Sequence, residues 1–200
     1  MWALAVEMDG YLSPRIDGKD VSPVRVAFLM APEGAEQVEL TDPWQAVVDA
    51  GGEPELLSTK SGRVQAFHHL DKADTFPVDR TVAESNAEDY AGLVLPGGVA
   101  NPDALRMNKS AVAFVRLFFD LAKPVAAICH APWTLVEADV VRGRTLTSWP
   151  SPQTDIRNAG GTWVDEEVEV CRAAPATLIT SRKPADLKAF SSTFIPEFGK

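Results

Sequence analysis

Three short, mainly apolar runs stop abruptly, Val24 to Met30, Ala91 to Leu95 and Val125 to Ile128, and Leu178 to Ser181 reads as a last core strand. Strands with such runs belong in the centre of a sheet covered on both sides, the situation of a parallel sheet. Between them the apolar period lengthens to that of a helix. One helix is predicted from about Val38 to Ala50, stopped by Gly51-Gly52, with Glu39 in its first turn. Another runs from Ala111 to Ala122, with Ser110 as its cap and an apolar stripe of Val112, Val115, Phe118, Phe119 and Leu121. Ala131 to Ala138, Pro152 to Ala159 and Pro184 to Phe194 complete the helices, with a short one starting at Pro102. Glu53 to Ser58 reads as a strand, and Ala31 to Glu36 as the loop that precedes the first helix. Gly62 to Phe67 suggests a hairpin off the sheet edge, followed by a short polar helix near Ala83 to Asp89. Trp163-Val164 and Val168 to Cys171 read as a hairpin or an edge.

Alternation of strand and helix with no internal repeat predicts an α/β sandwich, doubly wound around a mainly parallel sheet. Residues 1–22 have no sustained period and are read as an N-terminal extension, with an edge strand at Trp2, Leu4 and Val6. Residues 23–200 form the α/β domain. Ligands of such sheets bind at the carboxyl ends of the strands. Pro96-Gly97-Gly98 and Cys129 fall at such ends, and the first helix brings Glu39 nearby.

The sequence around Cys129 carries the chemistry. Strand Val125–Ile128 breaks at Cys129 into a helix with Pro132 in its first turn. Ala127 and Ala131 flank the cysteine two residues away on either side, and small residues are needed where a strand turns sharply into a helix. A nucleophile on this turn meets the N-terminus of the next helix, whose dipole is expected to favour thiolate. Gly97 and Gly98 allow backbone N–H groups to approach a ligand closely. His130 neighbours the cysteine, but adjacent side chains at such a turn diverge, so its role as base stays open. Trp133 and Trp149 either floor a pocket or fill the core. His68-His69 lack a cysteine or clear acidic partner at ligand spacing and read as hairpin residues rather than metal ligands.

Charge and cysteine content narrow the classes. The 200 residues have a formal net charge of −9, which argues against nucleic-acid phosphates and anionic membrane surfaces as partners. Two cysteines are too few for a disulfide framework, so a reducing cytoplasm is the expected compartment.

Glu36-Gln37-Val38-Glu39-Leu40, Leu95-Pro96-Gly97-Gly98, Ala127-Ile128-Cys129-His130-Ala131-Pro132, Thr147-Ser148-Trp149 and Thr180 to Leu187 occur in this order in the PfpI-like family. The chain resembles that family over about residues 24–195. Its members include intracellular proteases, general stress proteins and the Parkinson's-associated protein deglycase, with a fold similar to class I glutamine amidotransferases. The usual glycine after the Cys-His pair is Ala131 here. The resemblance implies Cys129 as nucleophile and Glu39 as the carboxylate approaching its sulfur. It implies an oxyanion hole from the N–H groups of Gly98 and His130. In the protease branch an acidic residue at the position of Asp103 comes from a neighbouring subunit, implying a homodimer or higher homo-oligomer. No histidine follows His130, so the Cys-His-Glu triad of a glutaminase is not available. The implied activity is that of a stress-response enzyme, without cofactor, acting on a reactive small-molecule carbonyl or its adduct on protein. A peptidase acting on protein or peptide, and a non-enzymatic redox sensor or holdase, are the alternatives.

Overall fold

The computed structural model describes residues 23–199. The N-terminal extension, including the edge strand read at Trp2, Leu4 and Val6, lies outside the described residues.

The first strand, β1 (Arg25–Met30), leads into β2 (Glu33–Glu36) and helix α1 (Gln37–Asp49). Next come β3 (Glu53–Ser58), the hairpin β4 (Arg63–His68) and β5 (Asp71–Pro77), and the short β6 (Arg80–Thr81). β7 (Gly92–Leu95) is followed by α2 (Ala100–Arg106) and α3 (Lys109–Asp120). β8 (Val125–Ile128) runs through Cys129 into α4 (Pro132–Glu137). The chain closes with β9 (Thr145–Leu146), α5 (Gln153–Asn158), β10 (Thr162–Trp163), β11 (Val168–Cys171), β12 (Leu178–Ser181) and α6 (Leu187–Phe198).

Seven strands form the main sheet in the order β11-β12-β8-β7-β1-β3-β6, all parallel except β11 against β12. Its double burial follows from the side-chain period of two. Ala27, Leu29, Leu93, Leu95, Val125 and Ala127 point to the layer holding α3 and α4. Val26, Phe28, Met30, Val94, Ala126 and Ile128 point to the layer holding α1 and α6. This is the flavodoxin-like sandwich expected from the apolar runs. Among the described residues no helix is long and apolar enough to cross a membrane.

Several local expectations need correction. Residues 33–36 are a strand rather than loop, and pair with β4 in a separate sheet of order β2-β4-β5. The hairpin therefore extends through Pro77, and its tip folds back over the sheet's carboxyl end. The polar helix at 83–89 is two single 3₁₀ turns. Asn108, not Ser110, caps α3, its side chain accepting the Ala111 N–H at 3.0 Å. β10 pairs with β9 and β11 with β12, so 163–171 is not a hairpin, and β11 takes the other expected place, at the edge of the main sheet. α6 continues past Phe194 to Phe198, because Phe190, Phe194 and Phe198 keep one buried face.

Candidate active site

The chain reverses direction at Cys129 with φ of +63°, a strained value for a residue with a Cβ. Its neighbours hold it there. The Cys129 N–H donates to Ser181 O at 3.0 Å, and the Trp149 N–H donates to Cys129 O at 2.9 Å. The Thr147 N–H donates to Thr180 Oγ1 at 2.9 Å. Thus Thr147-Ser148-Trp149 and Thr180-Ser181, read as motifs, clamp the turn that carries the sulfur. Ala131 is buried beneath it.

Glu39 arrives from α1 and is fully buried. Its Oε2 accepts the Gly97 N–H at 2.9 Å, and Cys129 is its side-chain neighbour. No hydrogen bond from the thiol to the carboxyl is closed, and Oε1 has no partner among the described residues. Such bonds commonly tighten when substrate binds. β1, which leads to Glu39, and β8, which ends at Cys129, are not adjacent; β7 lies between them. The Pro96-Gly97-Gly98 turn that follows β7 therefore separates carboxyl from thiol. A Cβ on Gly97 would lie 2.6 Å from both Cys129 Cβ and Glu39 Oε2. Glycine is needed because the acid and thiol close around its backbone.

Asn101, which the sequence reading did not single out, fixes this turn from below. Its Oδ1 accepts the Ala31 N–H at 2.7 Å, and its Nδ2 donates to Pro96 O at 2.8 Å and Gly97 O at 3.1 Å. Being fully buried with each contact satisfied, it ties the end of β1 to the turn after β7.

His130 does not diverge from Cys129. Its Nδ1 is 3.1 Å from Cys129 Sγ, and its Nε2 is 2.9 Å from Ser151 Oγ. The tautomer protonated at Nε2 satisfies both contacts, donating to Ser151 and accepting from the thiol at Nδ1. Trp149 stacks on the ring at 5.8 Å, and Trp133 packs at a tilt at 5.2 Å. Ser151 was missed because no local spacing marks it; it reaches the histidine through the loop before α5.

The electrostatics divide the protons. Burial pushes the Glu39 carboxyl up to about 8. Burial pushes His130 down to about 4. Around pH 7 the site therefore holds a protonated acid and a neutral imidazole. Burial, followed by the Glu39 carboxyl, pushes the Cys129 thiol up, while the N–H groups of Gly98 and His130 pull it down. The expected lowering by a helix dipole is thus corrected: α4 has six residues, and desolvation outweighs its N-terminus.

The crevice above the sulfur has a volume of about 270 Å³ and is lined by Glu39, Gly98, Cys129, His130 and Trp149. Gly97 and Trp133, read as pocket residues, stand behind this wall. Trp133 instead donates its indole N–H to Asp155 at 2.7 Å. Asp103 is exposed on α2 and does not line the crevice within one chain. His69 sits at the hairpin tip, as expected, but also reaches the crevice, with φ of +57° and its N–H donating to Glu36 Oε2 at 2.9 Å. His68 lies on the same tip with its Nδ1 4.0 Å from Glu36 Oε1.

A parallel sandwich with a cysteine at a strained strand end, a buried glutamic acid against it and two N–H groups on its sulfur defines a cysteine-centred α/β protein. The chain belongs to the DJ-1/PfpI family, whose pattern matches residues 24–197. It is 40% identical to deglycase PH1704 of Pyrococcus horikoshii over 172 residues, covering 86% of this chain and 98% of that protein. It is 36% identical to general stress protein 18 of Bacillus subtilis over 156 residues, 78% of this chain and 87% of that one. Among solved structures, Drosophila melanogaster DJ-1beta superposes with a TM-score of 0.76 at 26% identity, covering 90% of this chain and 92% of that chain.

Proposed function

We propose that this protein is a cytoplasmic cysteine enzyme that detoxifies reactive α-oxoaldehydes, or removes their adducts from protein, with Cys129 as nucleophile. The observation carrying this reading is the division of protons: a thiol lies between an acid that is protonated near neutral pH and an imidazole that is not. Pairs of groups with pKa values pushed apart are the usual mark of an acid and a base.

In the proposed cycle the Cys129 sulfur bonds to the aldehyde carbon as its proton passes to His130 Nδ1. The carbonyl oxygen takes the Glu39 proton, giving a hemithioacetal. The N–H groups of Gly98 and His130, already aimed at the sulfur, are near the developing oxyanion. The Glu39 carboxylate then carries the aldehyde C–H proton to the adjacent carbon, while His130 gives its proton to that carbon's oxygen and takes the proton of the hemithioacetal hydroxyl; the first carbon is oxidised, the second is reduced and a thioester remains. Water adds to the thioester carbon as Glu39 takes its proton, and the sulfur leaves with the proton on His130, which restores the thiol, the protonated acid and the neutral imidazole and releases a 2-hydroxy acid. No external oxidant or reductant is consumed. The names of the deglycase relatives support the substrate class.

The 3.1 Å contact between His130 and the sulfur favours a second reading, peptide-bond hydrolysis. There Asp103, exposed on α2, would join from a neighbouring copy in a homodimer or larger homo-oligomer. A strict monomer by light scattering would remove that reading and leave the carbonyl reading intact.

The expected result of a screen is turnover of methylglyoxal or phenylglyoxal that disappears, by at least about 10³-fold, in Cys129→Ser. Equal turnover in the two proteins would end Cys129's role as nucleophile.

A further inference from the structure

We propose that Glu36 makes the crevice a charge filter, admitting neutral α-oxoaldehydes whose apolar or aromatic substituent lies against Leu70, Val99 and Trp149, and turning away carbonyls that bear a carboxylate. The substrate class rests on the carbonyl reading above. The filter itself acts on any electrophile that reaches Cys129.

Glu36 lines the same cavity as Cys129, and its side chain is 13% exposed. The His69 N–H, donated from the hairpin tip, fixes the carboxylate at the wall. Among the described residues no lysine or arginine lines the crevice. Lys183, next to the wall residue Pro184, is half-buried and does not line the crevice, and Arg182 before it is held by Asp165 at 2.8 Å and Asp186 at 2.9 Å. Nothing on the wall therefore offers an anionic substrate the bidentate or point-charge partner that carboxylate recognition uses. A carboxylate entering beside Glu36 meets a like charge in a partly desolvated cleft, where repulsion is stronger than in water.

The mouth has the opposite character. Leu70 is 92% exposed, Val99 57% and Trp149 39%, and all three border the cavity. Three large apolar side chains left in water around one opening would be covered by an apolar substituent extending from the carbonyl. Leu70 and Val99 come from separate segments, the β4–β5 tip and the turn before α2, so the rim does not arise from a single apolar run.

The test compares alkylation of Cys129 by iodoacetate, iodoacetamide and 2-bromoethylammonium, followed by mass spectrometry and normalised to a free thiol. At about 0.1 M salt, screening over about 10 Å suppresses the effect of remote charges. Normalisation removes differences in intrinsic reagent reactivity, and comparing reagents on one protein removes its thiolate fraction. Wild type should react in the order cationic, neutral, anionic, with neutral over anionic raised roughly tenfold. Glu36→Gln, whose amide oxygen still accepts the His69 N–H, should bring that ratio close to the free-thiol value. Asp120→Asn, a remote exposed carboxylate at the end of α3, should leave it unchanged. In turnover, Leu70→Ser with Val99→Ser should lower the preference for phenylglyoxal over methylglyoxal several-fold, and wild type should turn glyoxylate over least. A wild-type ratio equal to that of the free thiol, or one unmoved in Glu36→Gln, would overturn the filter. Intact reagent selectivity without turnover of any dicarbonyl would overturn the carbonyl reading and leave the filter standing.

Discussion

Replacing Glu39 by Gln is expected to make the protein more stable and much less active. Glu39 is fully buried and its carboxyl is pushed up from 4.5 to about 8, chiefly by desolvation. Between those two values the native state keeps a proton that the unfolded chain releases. The native state thus binds more protons, and stability falls as pH rises through this window, by about 1.4 kcal/mol per pH unit. The contribution of Glu39 is fully present below 4.5 and lost above about 8. Glutamine has no such proton. The stability difference between Glu39→Gln and wild type should be small near pH 4.5 and grow to at most about 4 kcal/mol by pH 8. Taking the difference between two proteins cancels the other carboxylates, and stopping at pH 8 keeps the unfolded thiols largely protonated. Urea unfolding at several pH values measures it. A difference that is flat in pH would mean that Glu39 is already ionised in the folded protein.

The same substitution should lower dicarbonyl turnover by roughly 10²–10⁴-fold, the usual contribution of a positioned acid or base. Alkylation of wild-type Cys129 should show an inflection near pH 8, where Glu39 ionises beside the thiol. That inflection should vanish in Glu39→Gln. A gain in stability joined to a loss of chemistry is the signature of a functional group held at a cost to the fold. A residue that merely stabilised the first turn of α1 would show neither the pH slope nor the loss of turnover.

The legibility of this site follows the range of the forces involved. Runs such as Phe28-Leu29-Met30 and Val125 to Ile128 announce central strands, because both faces of each residue pair must be buried locally. Ala127, Ala131 and Pro132 likewise mark the turn around Cys129, since close approach is a requirement on the residues themselves. The order of strands is different: nothing within β1 or β8 states that β7 separates them, and Gly97 acquires its role between acid and thiol from that order. Asn101 and Ser151 act over contacts set by tertiary packing and leave no spacing signal. The direction of the thiol's shift is hidden in the sequence for the same reason. A helix N-terminus is visible in sequence, whereas desolvation is summed over every element that closes around the sulfur. Leu70 and His69 became wall residues through the folding of a hairpin onto the carboxyl ends of strands far away in the chain.

Gly98→Ala is expected to cost far more than Gly143→Ala, although both glycines have nearly the same positive φ. Gly98 has φ of +76° and Gly143 +73°. An alanine at either position bears the left-handed penalty of about 1–2 kcal/mol. At Gly143 a Cβ would meet nothing within 4 Å, so that penalty is the whole effect. At Gly98 the same atom would lie 2.2 Å from Gly34 O and 2.8 Å from Glu36 N, both backbone atoms of the segment that leads into Glu39. Neither can yield as a flexible side chain would. The turn or β2 must shift, and destabilisation of roughly 3–5 kcal/mol follows, in the range of overpacked and strained sites combined. The Gly98 N–H would leave the Cys129 sulfur in the same movement. Variants that still fold should therefore lose about 10²–10³-fold in turnover, the usual loss on removing an oxyanion donor. Gly143→Ala should retain wild-type turnover, since its turn lies outside the crevice lining. Chemical denaturation and dicarbonyl kinetics on the matched pair separate backbone strain from close approach. Equal destabilisation by the two substitutions would mean that Gly34 and Gly98 do not pack as described, and the account of how the turn presents its N–H to Cys129 would fail with it.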